Sequence, residues 1–570
     1  MADTAPHPLS LTGRPWIWPA PGAVVGPSGT DMPPWVRALL HARGVTSDEA
    51  VRGYLEPSLS MLADPLTMAD MPRAVERLLH AIRTRELVTV YGDYDVDGVC
   101  STALLVEFLR QVGAEVRYYI PDRRAEGYGL NPEAVRQIAA ESHLLVTTDT
   151  GVSANAEIAL ARDLGLDTVV VDHHQVPSEL PCALATLDPH RPDCSYAFKG
   201  LCAAGVAFML VVALRRALRD SGHFGTHDEP DVRALLDLVA VATVADMVPI
   251  RDTNRVLVAA GLKRLRTSPR EGLRALMAVC KVEPALVTAT DLGFRLGPRI
   301  NARGRLDHAA AAVDLMLTRD APQAKALAAT LDAANLSRRE IEKRTLEEAI
   351  VRVEAGAALD GAGLVLFDAT WHPGVLGLVA SRLASRFHRP AVVIGEGGKG
   401  SARGVAGLDL HASIAQVSTH LVRFGGHRAA AGVTLDPAQL DAFRDAWVGE
   451  VEQRLGRPPY VAPLRPDLEI TVSALSLATV AQLDRLEPFG QENPPPLFVS
   501  RGLPITRASI VGNSHLKLTI GGDHDAIGFG LAGLASQLPK VVDAAFRLQR
   551  NRYRGLERLQ LELEDVRPSA

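Results

Sequence analysis

The chain has 570 residues, 47% hydrophobic and 22% charged, with a formal net charge of −5 at pH 7. That length predicts three or four domains with real cores, the composition excludes wholesale disorder, and the charge balance excludes any global pull toward nucleic acid or acidic membranes. The five cysteines (Cys100, Cys182, Cys194, Cys202 and Cys280) form no C-x-x-C pair and are odd in number. This favours reduced thiols and a cytoplasmic protein, and no uncharged stretch reaches membrane-spanning length.

Residues 1–70 are Pro-rich, with short helical pieces at 35–43 and 47–54, and read as a cover over a neighbouring domain. Residues 71–310 begin with alternating strands and helices and continue as a helical part. Strands are predicted at 87–92, 115–120, 143–148, 167–172 and 183–188, with helices such as 99–112 and 153–164 between them, which is the pattern of a doubly wound parallel sheet. A long connecting helix, rich in Ala, Leu, Glu and Arg, is expected within 311–360. A second α/β domain at 361–455 has predicted strands at 363–368 and 391–395. The Pro-rich stretch 456–466 is a linker by composition. Residues 467–570 show short alternating strands that suit a small OB-like β-barrel.

The chemistry gathers at the strand ends. The apolar strand 87–92 runs into Asp93, Asp95 and Asp97, with Gly98 read as a turn before a helix near Cys100. Three anions so close need a cation or strong donors, and oxygen-rich clusters suit magnesium or manganese. A solvated acidic turn capping the helix explains this stretch alone equally well. Asp149 follows a second strand, and Asp172, His173 and His174 follow a third. Parallel neighbours bring their C-terminal ends to one edge, so Asp95, Asp97, Asp149, His173 and His174 are expected to converge there. Asp246 ends an apolar helix, where a carboxylate opposes the macrodipole and calls for a cation. Four coincidences at matching positions favour a two-metal centre for phosphate displacement, with the imidazoles tilting the preference from magnesium to manganese.

The motifs Gly-Asp-Tyr-Asp-Val-Asp-Gly (92–98), Thr-Thr-Asp-Thr-Gly (147–151), Asp-His-His (172–174) and Ala-Thr-Val-Ala-Asp-Met-Val (242–248) resemble those of the DHH phosphoesterase superfamily. Within it, residues 70–570 are similar to the single-strand-specific 5′→3′ DNA exonucleases. The resemblance implies that 71–310 is the catalytic domain and 361–455 the DHH-associated domain. It implies metal ligation by Asp95, Asp97, Asp149, His173 and Asp246, with Asp149 bridging, His174 facing the scissile phosphate and Asp93 beside them in the catalytic set. Tyr91 stands where the superfamily's pyrophosphatases carry a histidine, which weakens a pyrophosphatase reading. By the same resemblance, substrate contacts fall to Arg123 and Tyr128 in one loop, to Arg299 and Asn301, to Ser401 and Arg403 as part of a 5′-phosphate pocket, and to Gly426 and His427 in the domain signature. Arg552 belongs to an arginine and aromatic cluster at 546–558 that suits a single-strand groove. The implied activity is manganese- or magnesium-dependent hydrolysis of single-stranded DNA from a 5′ end to mononucleotides, in DNA repair and recombination. The implied partners are a single-strand-binding protein and a helicase. The rival readings are a phosphodiesterase for short oligoribonucleotides or cyclic dinucleotides, and a catalytically silent DNA-binding scaffold. The G-x-G-x-x-G match at 395–400 has no helix behind it, which argues against a dinucleotide site.

Overall fold

The computed structural model describes residues 9–18, 24–25, 32–122, 126–127, 129–306, 309–356, 361–553 and 556–569. The chain divides into two compact units. One comprises Arg43–Leu336 with Arg485–Pro495, and the other Met1–Ala42, Ser337–Asp484 and Pro496–Ala570.

The first unit is built on five parallel strands in the order Val116–Tyr119, Val88–Gly92, Leu144–Thr148, Asp167–Val171 and Ala185–Leu187. All five match the strand pattern of the sequence. Val88–Gly92 and Leu144–Thr148 are buried at every position, as strands covered on both faces must be. The strand order reverses between these two, so the fold has its topological switch point there. Helix Val96–Gln111 is apolar nearly all round because it is packed on all sides, against helices Ala203–Asp220 and Leu236–Ala245 among others. The helix starts at Val96 rather than near Cys100, because Asp95 caps it. Gly98 is therefore not a turn but lies in the first helical turn, where a Cβ would fall on the Asp93 backbone.

The helical part contains a π-helical turn, Leu292–Leu296, running into helix Gly297–Leu306. Helix Ala321–Ala355 spans 35 residues; Ala324, Ala328 and Leu331 join the core of the first unit, while Ala349 and Val353 pack with Trp371, Val375 and Val379 in the second.

In the second unit, a five-stranded sheet runs in the order Arg423–Gly426, Ala430–Thr434, Lys399–Arg403, Ala391–Ile394 and Leu364–Phe367. The G-x-G-x-x-G stretch forms a short 3-10 turn followed by strand Lys399–Arg403, with no helix opening behind it. Beyond the linker, strand Phe498–Val511 pairs with both His515–Ile520 and Val541–Tyr553. Pairings through His524–Gly528 and Leu556–Pro568 then close a five-stranded barrel. The N-terminal segment packs here: Val24–Val25 pairs with Leu468–Ile470, and Trp16 donates from its indole to Asp565 at 2.9 Å. No described helix is long and apolar enough to cross a membrane.

Candidate metal centre

The parallel register puts Gly92 beside Thr148 and Thr148 beside Val171, so the residues that follow them emerge on one edge. Oxygen atoms of Asp93, Asp95 and Asp149 lie within 4.8 Å of one another. Ligand atoms of Asp97, His173 and Asp246 do likewise, as do those of Asp149, His173 and His174. His173 Nε2 stands 3.2 Å from Asp149, 3.6 Å from Asp246 and 3.7 Å from Asp97. The structure thus brings together all seven residues of the expected catalytic set.

Each is held by its own local chemistry. Asp95 Oδ1 accepts the Asp97 and Gly98 amides at 2.8 and 3.1 Å as the helix cap. Asp97, fully buried, accepts the Ala203 and Ala204 amides at 2.6 and 2.8 Å, at the N-terminus of the Ala203–Asp220 helix, where a carboxylate is favoured. Its oxygens retain lone pairs for a cation. Asp149 and Met247 adopt left-handed φ of 62° and 59°, strain of the kind that collects at functional sites. Asp172 Oδ1 accepts the His174 Nδ1 proton at 2.7 Å, and its other oxygen accepts the Val152 amide at 3.0 Å.

Burial, then the charges of neighbouring aspartates, pushes the Asp149 and Asp246 carboxyls well above the usual carboxylate range. Burial keeps His173 neutral-leaning, below the ordinary imidazole range, despite Asp97. Burial also opposes charge on His174, but the Asp172 hydrogen bond outweighs it and lifts that imidazole to about 9. His173 Nε2 and Asp246 Oδ2 are buried with no hydrogen-bond partner among the described residues. A ring of crowded acids around an imidazole nitrogen without a proton partner is the donor set of a divalent cation, so the residues fit that group. Tyr91 is elsewhere: it lies in an apolar cluster, stacks on Tyr119 and donates its hydroxyl to the Gly129 carbonyl at 2.8 Å.

Helix Gly297–Leu306 lies against the acidic turn, since a Cβ on Gly304 would come within 2.6 Å of the Tyr94 carbonyl. It carries Asn301 and Arg299, whose guanidinium pairs with Asp332 at 2.7 Å and donates to the Arg295 carbonyl at 2.8 Å. In the second unit, Ser401 pairs in register with Gly432 and Arg403 with Ala430, and Gly426 and His427 occupy the adjoining hairpin. Arg403 donates to Ser401 Oγ at 3.1 Å and to the Ala402 carbonyl at 2.8 Å, and no carboxylate pairs with it among the described residues. Gly377, on helix Pro373–Phe387, makes room for both: a Cβ there would meet the Arg403 guanidinium at 2.8 Å and Ser401 Oγ at 3.0 Å. Arg123, Tyr128 and the side chain of Arg552 lie outside the described residues.

Sequence reasoning missed Gly377, the Ala203 and Ala204 amides, and the pair formed by buried Asp188 and His190, in which a carboxylate oxygen and the ring Nδ1 stand 3.4 Å apart. The amides carry no side-chain signal. The sequence of the 546–558 cluster offers one acid, Glu557, against its arginines, and the structure adds two from outside it: Glu564 pairs with Arg547 at 2.6 Å and Asp484 with Arg550 at 2.6 Å, Glu557 also pairing with Arg550, while Phe546 is fully buried.

Known proteins match along almost the whole chain. The family described as DHH family, N-terminal domain, matches residues 87–243, the DHHA1 domain 360–453 and the RecJ OB domain 466–565. The single-stranded-DNA-specific exonuclease RecJ of Dickeya dadantii is 39% identical, over 94% of this chain and 96% of its own. That of Thermus thermophilus is 34% identical, over 90% of this chain and 72% of its own. The crystal structure of RecJ in complex with Mn2+ from Thermus thermophilus superposes with a TM-score of 0.80 at 30% identity, covering 97% of this chain and 80% of that one. The Mg2+ complex from the same organism gives 0.75 at 28% identity, covering 97% and 79%.

Proposed function

The chain belongs to the RecJ family of single-stranded-DNA-specific exonucleases, and from that premise we propose that it removes mononucleotides from the 5′ end of single-stranded DNA at the cluster of Asp97, Asp149, His173 and Asp246. It is a hydrolase acting on single-stranded DNA, with manganese or magnesium as cofactor. The observation that supports this site above others is the meeting of two strand ends (Asp149 and His173), one helix start (Asp97) and one helix end (Asp246) around His173 Nε2.

Asp95, Asp97, Asp149, His173 and Asp246 would hold two cations, manganese in preference. When bound, the cations supply positive charge that activates water and offsets the charge developing on the phosphate. The neutral His173 is in the protonation state that a ligand needs. His174, fixed by Asp172, would turn its other ring nitrogen toward the phosphate oxygens and donate to them as charge builds there. Asp93 adds a buried carboxylate to the same edge. Arg403, which no carboxylate among the described residues pairs with, and Ser401 would take the 5′-phosphate by charge-assisted hydrogen bonds. Gly426 and His427 in the second unit, and Arg299 and Asn301 beside the acids in the first, would each contact single-stranded DNA. Arg123, Tyr128 and Arg552 keep their proposed substrate roles on sequence grounds.

A substrate that must be single-stranded makes a helicase and a single-strand-binding protein the partner classes that would expose and present it. The five cysteines are all unbridged, which agrees with the cytoplasm as the place of action. Asp149→Ala tests the site. Hydrolysis with manganese should vanish while single-strand binding stays near native; substantial residual hydrolysis would remove Asp149 from the centre.

A further inference from the structure

Asp246 sits at the junction of two helices, and what fixes that junction lies far away in the sequence. Helix Leu236–Ala245 ends at Asp246, the chain turns through Met247 to Arg251, and helix Asp252–Thr267 follows. On one side Asn254, fully buried, donates to the carbonyls of Gly200 and Pro249 at 2.6 and 3.0 Å. On the other side the turn meets residues 485–495, which belong to the first unit although the chain on both sides of them belongs to the second.

The contact is dense and polar. The Ile250 amide donates to the Gln491 carbonyl at 2.8 Å, and Arg251 pairs with Glu492 at 2.8 Å. Arg255, 3% exposed, donates to the carbonyls of Tyr54 (2.9 Å), Glu487 (2.7 Å), Leu486 (3.1 Å) and Pro488 (3.4 Å), with its guanidinium 3.6 Å over the Tyr54 ring. It forms no ion pair among the described residues, so a cation is buried on carbonyl and ring contacts alone, a costly arrangement. Burial draws its guanidinium down to about 10. Asn493, 2% exposed, accepts from Tyr54 at 2.7 Å and from Arg43, and donates to the Pro488 carbonyl at 2.8 Å. Gly490 packs so closely that a Cβ would stand 2.6 Å from Ile250 Cγ1.

We infer that residues 486–494 form a positioning element for Asp246, in which Arg255 and Asn493 fix the segment and Gly490 seats Ile250, four residues beyond that carboxylate. This rests on the reading of Asp246 as a metal ligand. Apart from this segment, the turn behind that carboxylate is held by Asn254, by the burial of Ile250 in the core of the first unit and by Arg251 over the Phe198 ring. Groups bonded directly to a metal ligand commonly change metal affinity by about 10–100-fold, and a contact that acts through the turn should reach the lower end of that range.

The test uses the full chain. Mn2+ binding without DNA is followed by electron paramagnetic resonance of the free ion, and kcat and KM are measured on a 5′-phosphorylated oligonucleotide. Gly490→Ala touches neither metal nor substrate and should press Ile250 toward the turn. The expected result is an Mn2+ affinity and a kcat each lowered by about tenfold, with KM and melting temperature near native. Gly490→Ala with Ile250→Ala should recover both, because the second change empties the space. Arg255→Lys, which keeps the charge but loses the fork, should resemble Gly490→Ala; if that variant fails to fold, Gly490→Ala decides alone. A folded Gly490→Ala with native Mn2+ affinity and native kcat, or one changed in KM only, overturns the inference. Asp246→Asn is the control. If it binds Mn2+ and turns over as native, the underlying metal reading fails and takes the inference with it. If it loses both while Gly490→Ala is native, only the inference fails.

Discussion

Arg403 is the simplest residue to question, because it is a cation with no carboxylate beside it among the described residues. A charged hydrogen bond to a phosphate contributes about 1.5–3 kcal/mol, so Arg403→Ala should cut the preference for 5′-phosphate over 5′-hydroxyl ends by roughly tenfold or more. The rate ratio on matched oligonucleotides measures it, and an unchanged ratio would put the pocket elsewhere. The acids offer a second test at this scale. Burial raises the Asp149 and Asp246 carboxyls, so at these two groups the metal-free folded protein holds more protons than the unfolded chain. Their contribution to stability should then fall as pH rises from the unfolded carboxylate range, near 4, toward the raised folded values, and Asp149→Asn should remove its share. Manganese must displace those protons, so its binding should release protons and tighten with pH. Calorimetry in buffers of different ionisation enthalpy reads the proton count; binding that releases none contradicts the assignment.

At the scale of elements, the site is a consequence of parallel strands ending together, and this much was legible. Strands buried on both faces give unbroken apolar runs, and the acids and histidines follow them directly. Other features were hidden for physical reasons. The helix start at Val96 depends on the Asp95 cap, and a Gly two residues later looks like a turn. Strand Phe498–Val511 is exposed over most of its length, so its alternation is faint. The π-helical turn has no periodic signature. The partners of Arg255 lie more than 200 residues from it in both directions, beyond any local pattern. Gly98 gives the element test. Ala there would drive its Cβ onto the Asp93 backbone, shifting the turn that carries Asp95 and Asp97. Gly98→Ala should destabilise by about 1–3 kcal/mol and lower activity on the order of 100-fold, since small misplacements are costly in catalysis. Thermal unfolding and steady-state rates check both; a native rate would mean that the turn does not set the site.

The barrel is a whole-molecule question, because its arginines are not equivalent. Arg547 and Arg550 are neutralised by acids, whereas Arg558 is exposed on strand Leu556–Pro568. If Arg558 binds a phosphate of the strand, Arg558→Glu should weaken binding of long strands and flatten the salt dependence by about 0.7 in log–log slope for each phosphate no longer neutralised. Arg547→Ala should change the slope little, and kcat on very short strands should stay native in both, because groups outside the reacting centre act on binding alike in ground and transition states. Oligonucleotide titrations at several salt concentrations make the comparison; equal slopes for Arg558→Glu and the native chain would make that face structural. Cutting the chain at Pro466 is a different experiment, since it also deletes residues 485–495 from the catalytic unit. Hydrolysis that needs a divalent cation and starts from 5′ ends is read directly from the fate of end-labelled strands. The metal-stripped protein is given single-stranded DNA labelled at the 5′ or the 3′ end, with and without Mn2+. The expected result is early mononucleotide release from the 5′ label only when Mn2+ is present; early release from the 3′ label, or release without any divalent cation, would contradict it.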